Sequence, residues 1–162
     1  MAYTLKVDGM EEISETLTKL AESAQAAAAL GLYEGAGIMA DAIKSGAESI
    51  STAPFRYVFN GWKRLPSPEE KAIVTAASAG IAKFDKNGAE VNTSVGYRSS
   101  GYATLNGKVK PIPLIVNAIN SGTSFMSKQP FIRRAAKSGA PKAIEAIKAK
   151  IDEVFDATIN KK

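Results

Sequence analysis

The sequence predicts an α+β fold: helices packed on a small, mainly antiparallel β-sheet, with a β-hairpin arm and a long C-terminal helix. Three patterns carry that expectation. Apolar residues recur at helical spacing from Met10 to Ile50 and again from Ile144 to Phe155. Val91, Thr93, Val95 and Tyr97 alternate with polar residues as a strand does. Asn60-Gly61, a strong short hairpin signal, follows the alternating Phe55, Tyr57 and Phe59. A layer of helices across one small sheet is the architecture that buries both kinds of apolar face, and residues 1–162 read as a single domain.

In order along the chain, Tyr3, Leu5 and Val7 alternate as a short strand. Asp8 then caps a first helix, with Glu11 completing a capping-box-like pair and Met10, Ile13, Leu17 and Leu20 on its core face. A second, alanine-rich helix is expected from Ala24 to about Ile50. Within it Gly35, Gly37 and Ala40 match a G-x-G-x-x-A pattern, but inside a helical stretch rather than at a strand-to-helix turn, so a dinucleotide site fails its context test. Residues 53–66 read as the hairpin arm, whose Phe55, Tyr57, Trp62, Arg56, Lys63 and Arg64 suit a subunit interface better than a nucleic-acid track. Ser67, Pro68, Glu69 and Glu70 start a helix expected to run from Ala72 to Phe84, and residues 85–88 form a turn. Residues 98–112 are polar and glycine-containing, a mobile loop or an irregular hairpin bearing Arg98, Lys108 and Lys110. A phosphate loop is rejected there because five residues separate Gly101 from Gly107 and Val109 follows Lys108. Residues 114–120 can be a buried strand or a short helix; Pro113 to open it and Gly122 to close it favour the helix. A short helix from Phe131 should stop at Ser138-Gly139, and Pro141 should begin the last one, with Ile144, Ile147, Ile151, Val154 and Phe155 as its seam.

Composition narrows the chemistry. The chain has neither cysteine nor histidine, which removes disulfides, thiolate metal sites, the Ser-His nucleophile pair and the commonest general base. No catalytic, cofactor-binding or metal-binding residues are expected, and no enzyme. The start of the chain lacks a signal-peptide pattern and no run approaches 18 apolar residues, so a soluble protein made in the cytoplasm, with no membrane partner, is the expectation. Charge is uneven: residues 1–97 hold 9 basic and 12 acidic side chains, residues 98–162 hold 12 and 4. A basic surface for a polyanion, complementary faces on neighbouring copies and a solvated lysine-rich helix end all fit that split.

The densest local signal is residues 114–135, LIVNAINSGTSFMSKQPFIRRA. An apolar run meets Gly122, which can take the positive φ that ends a helix. Thr123 and Ser124 can satisfy freed backbone groups, and Pro130-Phe131 opens the next helix. The order Gly-Thr-Ser, a spacer with Met126, then Gln-Pro-Phe-Ile-Arg-Arg-Ala resembles the small neck or tail-completion proteins that join head to tail in long-tailed phages. That family commonly has Glu-Phe before Gly-Thr-Ser where Asn120-Ser121 stand here, a second proline where Arg134 stands, and a Thr-Gly-x-Leu after Ala-Pro that is missing. The resemblance implies a structural virion protein at the head–tail junction and a ring of roughly six or twelve copies. It also implies partners among head-connector and tail-tube or tail-terminator proteins, and DNA passing through the ring. The residues expected to make contacts are Phe55, Tyr57, Trp62, Arg64, Arg98, Lys108, Lys110, Arg133 and Arg134; those expected to shape the fold are Gly122, Thr123, Pro130 and Phe131. The alternative is a small basic nucleic-acid-binding protein, and a hydrolase built on paired carboxylates is a distant third.

Overall fold

The computed structural model describes residues 10–53, 63–77, 79–87, 90–97 and 101–159. The predicted strand at Tyr3, Leu5 and Val7, the Asp8 cap, the arm residues Phe55, Tyr57, Asn60, Gly61 and Trp62, and the loop residue Arg98 lie outside them. Within the described residues the order is α1 (Met10–Glu48), α2 (Pro68–Ala77), β1 (Gly80–Ile81), β2 (Asp85–Asn87), β3 (Glu90–Asn92), β4 (Val95–Gly96), β5 (Tyr102–Leu105), β6 (Lys108–Pro111), α3 (Ile112–Ser121) and α4 (Phe131–Ile159). The class is α+β, with a long C-terminal helix. The sheet, however, is broken into antiparallel two-stranded ladders β1–β4, β2–β3 and β5–β6.

The frame is the antiparallel pair α1–α4. Gly46 lies against Phe131 and Ala135, Gly139 against Ala42 and Met39, Gly35 against Ala143 and Ile147, and Gly31 against Ile147 and Ile151. Contact is close: a Cβ on Gly139 would stand 3.0 Å from that of Ala42, and one on Gly35 would stand 2.6 Å from the Ile147 side chain. Small residues let the helices approach this far; in the G-x-G-x-x-A stretch Gly35 serves this contact, while Gly37 faces open space. At 1.5 Å per residue α1 is about 58 Å long and α4 about 43 Å.

Two expected helix breaks are absent for the same reason. The first and second predicted helices are one 39-residue helix, because the alanine run around residue 24 has the highest helix propensity and Gly31, Gly35 and Gly46 beyond it face α4. Likewise α4 runs unbroken for 29 residues through Gly139 and Pro141, held by the length of its contact with α1. The packed row of α4 is Phe131, Ala135, Gly139 and Ala143, continued by Ile147 and Ile151 of the predicted seam, whereas Ile144 stands exposed. Leu17, placed on the core face by spacing, is also exposed, as is every described side chain from Ser14 to Lys19.

The helix expected up to Phe84 ends at Ala77, and Gly80 and Ile81 pair with Gly96 and Val95 instead. The strand expected over Val91, Thr93, Val95 and Tyr97 divides at Thr93-Ser94, where the Thr93 hydroxyl donates to the Ala82 carbonyl and the Ala82 amide donates to the Ser94 carbonyl. Residues 102–111 form a regular hairpin. Asn106 and Gly107 both have positive φ, 52° and 71°, which is the type I′ turn that suits the right-handed twist of paired strands.

Core residues gather where the C-terminal half of α1 meets the start of α4: Ile43, Ala47, Ile50, Val74, Leu105, Ile115, Val116, Ile119, Met126, Phe131 and Ala135. By length and composition, Ser14–Glu48 would pass as a membrane-crossing helix, a test that core helices also pass.

Candidate assembly surface

The junction between α3 and α4 is built from local chemistry first. Pro113 sits in the first turn of α3, and Gly122 closes the helix at φ 78°. A Cβ there would meet the Lys128 amide nitrogen at 2.9 Å and the Met126 carbonyl at 3.0 Å, so the position excludes side chains both by conformation and by space. Thr123 turns the chain: its hydroxyl accepts from the amides of Phe125 and Met126, and its own amide donates to the Met126 carbonyl. The turn buries Met126 and leaves Phe125 78% exposed.

From the turn the chain runs alongside residues 63–67. Arg64 and Met126 form a parallel bridge, the Arg64 amide donating to the Phe125 carbonyl and the Ser127 amide to that of Arg64. Gln129, 8% exposed, then clamps a segment 78 residues away: its Nε2 donates to the Ser51 carbonyl at 2.7 Å and its Oε1 accepts from the Ser51 amide at 3.0 Å. A buried side-chain amide is satisfied here as a backbone unit would be. The α4 N-terminus is capped from a distance, the Asn120 Oδ1 accepting from the Ile132 amide. Phe131, fully buried, packs edge-on against Tyr97 with ring centroids 6.3 Å apart.

Electrostatics reinforce the same joint. The Arg64 guanidinium makes two bonds to the Glu70 carboxylate, at 2.6 and 2.7 Å, and a third to the Leu65 carbonyl. Ser67 caps α2 and Glu70 closes the pair into a capping box, with the Glu70 amide donating to the Ser67 hydroxyl and the Ser67 amide to the Glu70 carboxylate. Burial on its own would raise the Glu70 carboxyl, but the bonds from Arg64 and Ser67 outweigh it and hold the group below the ordinary carboxylate range. The hydrogen bond to Glu70 moves Arg64 further up. Arg64, expected to meet a neighbour, is therefore engaged in fixing the chain segment that enters α2. Burial also pushes the Tyr97 hydroxyl up to about 12, and its oxygen has no hydrogen-bond partner.

The remaining expected contact residues sit outside this joint. Arg133 and Arg134 are exposed in the first turn of α4. Arg134 lines an open groove of about 330 Å³ between α1 and α4, with Ser45, Ser49 and Ser138 as its hydroxyls and Gly46 and Ala135 among its floor residues. Lys108 and Lys110 lie on β6 opposite Leu105 and Ala103; their strand face is the one that meets the core, so Lys110 is half-buried. The opposite face carries Tyr102 and Val109, both mostly exposed. Gln129, Asn120 and the apolar tip Phe125 were not singled out from the sequence. For Gln129 and Asn120 no sequence signal names the partner, since Ser51 is 78 residues away from Gln129. Among the described residues no group of three or more acidic side chains is placed to hold a metal ion.

No protein-family model, curated protein or solved structure matches this chain.

Proposed function

We propose that the chain is a structural virion protein of a tailed phage, a neck or tail-completion subunit that forms a ring at the head–tail junction and lets head and tail join. The supporting observation is the joint itself. The residues on which the family resemblance rests, Gly122, Thr123, Pro130 and Phe131, together with Gln129, form one joint that closes α3, opens α4 and is hydrogen-bonded to Ser51 just past the end of α1. Beside the joint stand an exposed aromatic, Phe125, and two exposed arginines, Arg133 and Arg134. A rigid seat displaying an aromatic and arginines is the composition that protein contacts favour. Nothing in this role requires bond chemistry; the work is geometric.

The test is deletion of the gene from its parent genome, followed by electron microscopy of the lysate. Filled heads and separate tails, unjoined or wrong in length, support the proposal. Normal infectious particles overturn it.

One observation favours a second reading, a nucleic-acid-binding protein: residues 91–144 contain eight Lys and Arg and no Asp or Glu. That reading requires binding of free DNA by the monomer with an affinity falling linearly in log salt, at a slope set by the phosphates neutralised.

A further inference from the structure

The two ends of the molecule differ in charge and in how well they are packed. The basic stretch 91–144 supplies β4, the β5–β6 hairpin, α3 and the first half of α4, which surround the core. Residues 10–34 hold five acidic side chains against one basic, and residues 145–159 hold four against two. Because α1 and α4 are antiparallel, with Gly31 at Ile147 and Gly46 at Phe131, both acidic stretches fall at the same, distal end of the helix pair.

That distal end is thinly covered by the described residues; Phe84 lies against Tyr33, with ring centroids 6.3 Å apart. Among the described side chains from Ser14 to Tyr33, only Ala27 and Gly31 are buried, and from Ile147 to Ile159 nothing is. Leu17, Leu30 and Tyr33 are each more than half exposed. Two helices side by side cannot shield their apolar flanks, and stable architectures cover such faces with another element. At the basic end, Phe125 and Val109 are the most exposed large apolar side chains. Each end thus exposes large apolar side chains, and the stretches that form the two ends carry opposite net charge.

We propose that the acidic distal end of the α1–α4 pair docks on the basic end of a second copy of this chain, bringing the carboxylates around Asp152 and Asp156 to Arg133 and Arg134. The contact is head-to-tail: each copy uses different surfaces towards its two neighbours, and the assembly closes or extends according to the rotation between them. Charge complementarity sets its direction and discriminates against tail-to-tail pairing. It rests on the ring of the proposed function in that it names that ring's two surfaces. It is decided by the purified chain alone, whereas the head–tail role is decided by particles.

Light scattering on the full chain across concentration and salt tests it. The expected result is a mass that grows with concentration and shrinks as salt rises from about 0.05 to 0.5 M, where surface charges are screened. Reversing one end with Arg133→Glu and Arg134→Glu, or the other with Glu15→Lys and Asp156→Lys, should weaken self-association roughly tenfold or more. An equal mixture of the two reversed variants should then assemble as the wild type does, because an acidic head meets a basic tail and the reverse. All these side chains are exposed, and circular dichroism of each variant verifies the fold. A wild-type chain that remains monomeric overturns the proposal, as do reversed variants that stay apart when mixed. Retention of a double-stranded DNA probe by a strictly monomeric chain also overturns it and assigns the basic end to a polyanion.

Discussion

The same two helices, α1 and α4, are packed in different ways at their two ends. Near residue 46 of α1 they are roofed by α2, α3 and the β5–β6 hairpin, and Ile43, Ala47, Ile50, Phe131 and Ala135 are all buried. Near residue 27 they carry no residue of that core, and Ile151, Val154 and Phe155 are half-buried. Helical periodicity is equally good in both places. What differs is the third layer, so one helix pair combines a packed end, stabilised by tertiary contact, with an end that depends on helix propensity and on whatever covers it.

Matched truncations offer the strongest test of that contrast. Phe131→Ala should cost about 3–5 kcal/mol, the range for emptying a packed aromatic site, while Phe155→Ala should cost about 1 kcal/mol, both read by urea unfolding. Equal costs would mean that the distal end is as well packed as the other. Next in size, Gly122→Ala should destabilise by about 2–3 kcal/mol, because a Cβ must enter a left-handed conformation and crowd the Lys128 amide. Native-state hydrogen exchange should show that loss in α3 and the start of α4, with the distal half of α1 exchanging as before.

Glu70→Gln should cost about 2 kcal/mol, between the values for buried and surface pairs, since Glu70 is nearly buried and Arg64 partly so. The wild-type pair also has a pH signature. The Glu70 carboxyl lies below its ordinary value of 4.5 when folded, so its contribution is complete above that pH and is lost as pH falls through the folded value. Tyr97 acts at the other extreme: with its hydroxyl raised to about 12, stability should decline as pH rises above its ordinary 10.0. Thermal melts of wild type and Glu70→Gln across acid pH should converge; parallel curves would deny the linkage. The smallest effect expected is a gain. Gly37 has open space where a Cβ would stand, so Gly37→Ala should stabilise by about 0.5–1 kcal/mol through helix propensity alone, visible as a higher melting temperature.

What the sequence disclosed was local. The positive φ at Gly122, the helix opened at Pro130-Phe131 and the helix start at Ser67-Pro68 each follow from residue chemistry within a few positions, and each is present. The type I′ turn at Asn106-Gly107 was equally legible but was obscured by the polar residues before it, which read as a loop. Ser138, Gly139 and Pro141 look like punctuation, yet α1 packs along the whole of α4 and overrides them. The Gln129–Ser51 clamp and the Arg64–Glu70 pair could not be assigned, because pairing across a fold depends on which segments the core brings together. The opposite charge of the two ends was visible only as a difference between halves of the chain until the antiparallel helices folded that difference into space.

The pairing of the first helix with the last also has a cost in time. Translation delivers α1 complete at Glu48, but α4 begins only at Phe131. At typical elongation rates of about 5–20 residues per second α1 waits roughly 4–16 s on the nascent chain before its partner emerges, with Ile43 and Ala47 uncovered. A ribosome-bound fragment ending before residue 131 should therefore be cleaved readily by protease within α1, and the released full chain should not. The long helix is made well before its partner and is secured only when that partner arrives.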